Sequence, residues 1–260
     1  MAFDDPHARA QVMDNMPPPI SDIRDVIGAA EDAGRAFKRA PWWRGHGQAD
    51  WPLLPKVRRP PKGQPNREQN LVLHFQAQAG TRHAKCPDRS DYVAWLFLMQ
   101  HYGLATRLLD WTESILTALF FAVTEQQYDE KPGALWALNG AGLNGAQGLV
   151  PMLPVPEDGD VLPLFAAAFE DLAPTGKVVA VATHEVDLRM LIQRSAFTVH
   201  DSDTPLETLL GDYSAFLRKY DIAPKAKPRL RIQLEHLAID TAMLFPDLDH
   251  LAADLNHRVP

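Results

Sequence analysis

The sequence holds a single cysteine, Cys86, in 260 residues, which excludes an intrachain disulfide and any Cys-rich zinc site. No run approaches the roughly 20 consecutive apolar residues that a membrane-spanning helix needs. Positive charge is not in excess either. The 26 Lys and Arg face 33 Asp and Glu, a formal net charge of −7. That balance argues against a protein that coats duplex nucleic acid or lies on an anionic membrane. Local metal-ligand spacing is missing as well. The ten histidines are scattered, and His184-Glu185 lacks the second histidine that a zinc helix carries four residues on, so no metal is expected. A Gly-x-Ser-x-Gly elbow and a phosphate loop ending in Gly-Lys-Ser/Thr are both absent. The first twenty residues, MAFDDPHARAQVMDNMPPPI, are acidic and proline-bearing, unlike a secretory signal. The expectation is a cytoplasmic protein with a flexible arm over residues 1–20 and one domain over residues 21–260.

What is present is an ordinary globular mixture, 46% hydrophobic and 23% charged. From Ile23, apolar residues recur at three- and four-residue steps through Val26, Ile27, Ala30, Ala33 and Phe37, one face of a helix that Ser21 can cap. Trp42 to Gly47 reads as a strand entering a turn, and Lys56 to Pro65 as a basic, proline-rich loop. Helices are predicted from Asn66 to about His83, from a Ser90 cap through Met99, and from Thr112 through Phe121. Strands are predicted at Gly133–Leu138, Lys177–Ala182 and Ala196–Val199, with a short helix from Asp187 to Gln193. Asn139 to Pro163 reads as a loop, Arg229 to Leu234 as strand-like or a helix start, and Pro246 to Leu255 as a last amphipathic helix. Helices dominate the first half and strands the second without β-α-β alternation, which predicts an α+β fold.

Gly140-Ala-Gly142-Leu-Asn-Gly145 matches a dinucleotide fingerprint, but the Gly- and Pro-rich stretch after it predicts no helix to receive a pyrophosphate. It reads as a plain glycine loop. The basic runs Lys56–Arg59 and Lys225–Arg231 read as solvated loops, with nucleic-acid contact as the other reading.

Two segments concentrate polar groups in apolar surroundings. In Trp43-Arg44-Gly45-His46-Gly47, an arginine's planar fork of donors stands where glycines let backbone approach a ligand; structural packing of Arg44 on tryptophan is the alternative. In Gln100 to Thr112, the groups of His101, Thr106, Arg107, Asp110 and Thr112 lie between two strongly apolar helices. Such a connector sits at depth only if these groups pair or reach a ligand. Arg107 and Asp110 can pair, Asp110 or Thr112 can cap the next helix, or the block forms a pocket wall opposite Arg44.

At these two segments the sequence resembles the FRG domain family, named for an aromatic-Arg-Gly motif that stands here as Trp43-Arg44-Gly45. The family's second block is similar to His101, Gly103 and Thr106 through Thr112, followed by Ala118, Phe121 and Ala122. Gln193 through Thr198, with Ser195 in place of a glycine, and Leu244 through Asp249 are similar to its later stretches, so that the resemblance spans residues 40–255. The resemblance implies a protein of a family whose members stand in toxin-like or phage-defence settings. A weaker likeness, to ADP-ribosyltransferases, implies a split mixed sheet and NAD as substrate. On that likeness Arg44, His101, Asp110, Gln193 and Glu235 are the candidate catalytic residues. Arg44 would hold the diphosphate with Gly45 and Arg107 beside it, Thr106 or Thr112 would orient the ribose, and Trp43 or Trp111 would stack on nicotinamide. The catalytic acid stays open between Asp110 and Glu235, with Gln193 as a neutral partner of the ribose. The likeness further implies a macromolecular acceptor, protein or nucleic acid, and an antitoxin or regulator as partner. The alternatives are a nucleic-acid-cleaving enzyme using Arg44, His101 and Asp110, and a non-catalytic module that binds a nucleotide or a partner.

Overall fold

The computed structural model describes residues 18–59, 66–183 and 187–258. In chain order these form α1 (Ile23–Phe37), β1 (Trp42–His46), α2 (Arg67–Ala79), α3 (Tyr92–His101), β2 (Leu108–Thr112), α4 (Ile115–Val123), β3 (Gly133–Leu138) and α5 (Gly140–Ala146). There follow α6 (Leu162–Ala166), β4 (Val178–Val181), α7 (Leu188–Gln193), β5 (Ser195–His200), α8 (Leu206–Leu209), β6 (Leu217–Ile222), α9 (Lys227–His236), α10 (Thr241–Leu244) and α11 (Leu248–Arg258). This is the α+β architecture expected. Most of the first residues assigned to an arm, the 60–65 part of the basic loop and His184-Glu185 lie outside the described residues.

The six strands make one sheet in the order β4-β5-β2-β1-β3-β6, and every neighbouring pair is antiparallel. The sheet is therefore not mixed. Its pairing is uneven, however. β1 pairs with β3 along its whole length and β2 with β5 likewise, whereas β1 and β2 share one register position, Trp43 opposite Thr112. The middle of the sheet parts there.

Apolar packing divides at that seam on one face and runs across it on the other. On one face, Trp43, Leu135, Ala137, Tyr220 and Ile222 pack against α1, α4 and α9. On the same face beyond the seam, Leu108, Val179, Val181, Phe197 and Val199 pack against α3 and α6. The opposite face is covered by a third cluster that includes Trp42, Trp111, Trp136, Leu143 and Phe216. Strand alternation sends Trp42, Arg44 and His46 to this last face and Trp43 and Gly45 to the first.

The closest approach in this packing is that of α4 to β1. A Cβ on Gly45 would stand 1.9 Å from the Ala118 carbonyl oxygen and 2.8 Å from the Ala122 nitrogen. Only glycine allows the two backbones to meet. The side-chain space of Gly45 is thus filled by α4, not by a ligand.

Both sheet edges are covered. Ile20 forms a parallel bridge to Ile222 on β6, donating to Asp221 O at 2.7 Å and accepting from Ala223 N at 3.0 Å. On β4 two side-chain amides of α5 imitate a neighbouring strand. Asn144 accepts from Ala180 N at 2.9 Å and donates to Ala180 O at 2.9 Å. Gln147, just after α5, accepts from Val178 N at 3.0 Å and donates to Val178 O. Such cover blocks the edge-to-edge pairing that a bare strand invites.

Several local expectations are corrected. Asp22, in a capping box with Asp25, caps α1 in place of Ser21, and Asp91 caps α3 in place of Ser90. Ionised carboxylates one residue on accept the free amides better than the hydroxyls. Thr112 does not open a helix: residues 108–112 are a strand, and Ser114 caps α4 by accepting from Thr117 N at 3.2 Å. Asn139 to Pro163 contains α5 and the first two residues of α6, and Arg229–Leu234 lies within α9. The glycine-rich motif does open a helix, α5, capped by Asn139, which accepts from Gly142 N at 3.0 Å. Its glycines serve packing, for a Cβ on Gly140 would stand 2.8 Å from the Ala180 Cβ.

Candidate functional site

A cavity of about 440 Å³ lies where β1 and β2 part. This falls within the range of about 300–1,000 Å³ typical of small-molecule sites. Its walls come from β1, β2, the turn after β1, α4 and the α7–β5 junction, and they carry four cations, Arg44, Lys56, Arg59 and Arg189, against two carboxylates, Asp110 and Glu125. In a chain of net charge −7 that local excess is directional.

Arg44 crosses the seam. Its Nη1 donates to the Asp110 carbonyl at 2.6 Å, and its Nε donates to His46 Nε2 at 3.0 Å. Nη2 has no partner among the described residues. Burial pulls the Arg44 pKa down to about 10, with Asp110 opposing that shift and Arg59 adding to it, so the guanidinium stays charged at neutral pH. His46 is held neutral by burial first and by the Arg44 and Arg59 charges second, which leaves Nε2 free to accept from Arg44.

Arg59 sits beside this pair. Its Nε donates to Leu54 O at 3.0 Å, and its Nη atoms have no partner among the described residues. Burial lowers its pKa while Asp110 opposes the shift. Lys56 Nζ donates to Gly103 O at 2.9 Å, with two protons left for a ligand. Trp51 closes this end, edge-on to Tyr128 at 5.0 Å between ring centres.

The carboxylate of Asp110 is 55% exposed and lies 3.9 Å from Arg44 Nη1. A directed chain holds it. Leu108 N donates to Thr106 Oγ1 at 3.1 Å, so the Thr106 proton goes to Gln100 Oε1 at 2.5 Å. Gln100 Nε2 then has to face Asp110, and it donates to both carboxylate oxygens at 2.8 Å. Thr106 is fully buried and orients Gln100, not a ribose.

Arg107 is not a ligand group. It is 3% exposed and all five of its donors are engaged. Nε donates to Glu68 Oε2 at 3.0 Å, Nη1 to Leu164 O at 2.8 Å and Asp201 Oδ1 at 3.1 Å, and Nη2 to Glu68 Oε2 and Ala167 O, both at 2.8 Å. It ties β2 to α2 and to the end of α6.

The indoles expected to stack on nicotinamide are also committed. Trp43 and Trp111 are each 3% exposed; Trp43 packs against Tyr220 at 6.1 Å, and Trp111 Nε1 donates to Thr198 Oγ1 at 3.0 Å. Thr112 Oγ1 donates to Gln193 O at 2.6 Å, and Gln193 Nε2 donates to Leu244 O at 3.0 Å, although both residues reach the cavity wall. Glu235, exposed on α9, is not among the lining residues. His101 lines a smaller adjoining pocket and pairs through Nδ1 with Asp187 Oδ2 at 2.7 Å. Within the basic run Lys225–Arg231, two cations are spent on the fold: Lys227 Nζ donates to Gly47 O at 2.7 Å, and Arg231 grips Asp129 with both Nη atoms.

The structure therefore brings together Arg44, Asp110, Thr112 and Gln193 and keeps Glu235 apart. The sequence reading missed Trp51, Gln100, Glu125 and Arg189; only Lys56 and Arg59 had left a signal, as part of a basic run. Among the described residues no group of three or more His, Cys, Asp or Glu converges as a metal site.

Residues 39–131 match the family model of the FRG domain. The chain contains an FRG domain. Its matched stretch supplies β1, β2 and α4, and with them Arg44, Arg59, Gln100 and Asp110, so the FRG motif residues build the seam and its cavity. Arg189, Gln193 and Ser195, from beyond the match, complete the wall around the FRG domain's cleft. No curated protein and no solved structure matches the chain.

Proposed function

We propose that the cleft binds a dinucleotide of the NAD class and that the protein transfers or hydrolyses its ADP-ribosyl group. The observation that carries this reading is the pairing, within one cavity, of free guanidinium donors on Arg44 and Arg59 with the exposed carboxylate of Asp110. Arginine forks bind phosphate oxygens in pairs, which suits a diphosphate. Cleavage of NAD's glycosidic bond passes through an oxocarbenium-like state, and a fixed carboxylate offsets its positive charge. Asp110, held by Gln100 from behind, is the acid on the cleft that suits this role. Trp51, at the cationic end, offers an aromatic wall to a base.

A second reading, a module that binds a nucleotide without turnover, is favoured by one observation: no carboxylate from the last strands lines the cleft among the described residues. Labelled NAD separates the two. The transferase reading expects nicotinamide release by the wild-type protein and at least a tenfold loss of binding in Arg44→Ala. Binding without release supports the module. Neither binding nor release, with an Arg44-dependent cut of nucleic acid, refutes both.

A further inference from the structure

A pocket of about 40 Å³ adjoins the cleft and adds a histidine, His101, to the groups the cleft presents. It shares Gln100, Asp110, Arg189, Gln193 and Ser195 with the main cavity, and Phe97, His101, Met190 and Phe197 complete its lining. Its size admits a water-sized group and little more. Resting on the NAD reading above, we propose that this pocket seats the attacking nucleophile, a water or a single hydroxyl, and that His101 is its general base, positioned by Asp187.

The argument starts at the N-terminus of α7. Asp187 caps that helix, its Oδ1 accepting from Met190 N at 2.8 Å, so its carboxylate is fixed in place. The other oxygen, Oδ2, lies 2.7 Å from His101 Nδ1. An ionised carboxylate only accepts, so Nδ1 carries the ring proton. Nε2, on the other side of the ring, then presents a lone pair, and it has no partner among the described residues. A carboxylate-held imidazole with a free Nε2, on a residue that lines the pocket, has the makings of a general base. The charged and titratable groups around the ring are Asp187 and Arg189 from α7, Asp110 from β2 and, beyond Tyr102, His83 after α2.

In the reaction the bond between ribose C1′ and the nicotinamide nitrogen breaks, and its electron pair leaves with nicotinamide. The nucleophile's oxygen bonds to C1′, and its proton passes to His101 Nε2. Asp187 stays ionised and stabilises the imidazolium until solvent takes the proton. With water the products are nicotinamide, ADP-ribose and one proton.

Asp187→Asn tests this directly. Asparagine still caps α7, but its amide donates to Nδ1, forcing the ring proton to Nε2 and removing the base. Nicotinamide release from NAD is followed against pH for the wild type, Asp187→Asn and His101→Gln. The expected result is a fall in kcat of roughly 100- to 10,000-fold in each variant with KM unchanged, and loss of the acidic limb of the profile. The double variant is expected to be no worse than either single one. A kcat within threefold of wild type, or a fall that leaves the acidic limb intact, overturns the dyad alone. A wild-type protein that releases no nicotinamide overturns the NAD reading and the dyad with it.

Discussion

Replacing Arg107 by Met separates scaffold from site. The guanidinium is the shared partner of Glu68 and Asp201, both nearly buried, and of two carbonyls at the end of α6. Asp201 keeps two donors after the change, Thr175 N at 2.6 Å and Thr175 Oγ1 at 2.9 Å, so its loss is modest. Among the described residues Glu68 keeps only the backbone N–H of residue 107, at 2.9 Å, and becomes a buried charge without a counter-ion. Breaking one side of a buried pair in this way costs about 3–5 kcal/mol. That is a large share of the roughly 5–15 kcal/mol that holds a domain folded. The melting temperature is expected to drop by roughly 6–20 °C. Urea unfolding measures the loss, and adding Glu68→Gln to the variant is expected to restore about 0.5–3 kcal/mol by removing the orphaned charge. Because Arg107 does not reach the cleft, the folded fraction is expected to bind NAD as the wild type does. A loss below 1 kcal/mol, or a stable variant that no longer binds nucleotide, refutes the reasoning.

Gly45→Ala pushes a methyl against helix backbone that cannot yield, and a destabilisation of at least about 3 kcal/mol in urea is expected, at the upper end of overpacking costs; a cost under 1 kcal/mol would mean that α4 lies farther from β1. Acid unfolding should report His46 and His200. Burial first and the neighbouring arginines second depress both, His200 to about 3, so folded protein excludes protons that the unfolded chain takes up below about pH 6.5. Stability is thus full above about pH 6.5 and falls toward pH 3 by up to about 1.4 kcal/mol per pH unit for each ring. The test is the pH dependence of urea midpoints, where an undiminished slope in a His46→Gln, His200→Gln double variant would contradict the assignment. Asn144→Leu together with Gln147→Leu strips the cover from β4, and light scattering is expected to show self-association that either edge of the wild type resists.

What was legible in the sequence depended on how far each residue's partner lies along the chain. α1 shows one apolar stripe because one side faces solvent, and α7 and β5 carry their own turn and strand chemistry. β2 was not readable as a strand. It is buried on both faces at four of its five residues, so no alternation marks it, and its one exposed residue, Asp110, lines the cleft. Helix α5 contradicts its own glycine content because Asn144, reaching residue 180, secures it from outside. The polar character of the Thr106–Asp110 block was evident, but its division of labour was not. Glu68 and Asp201, 39 and 94 residues from Arg107, decide that Arg107 is structural. Trp43 and Trp111 show the same limit: an aromatic beside a site is equally good core, and here the core took both.

With a single register position joining β1 to β2, the Arg44 guanidinium on the cleft wall is also a clasp across the seam. An anion that captures the Nη1 proton leaves the Asp110 carbonyl bare at the spine between two halves of the sheet, which rest on separate cores on one face and share a third on the other. An anion taken at Nη1 therefore competes with a tie that spans the seam.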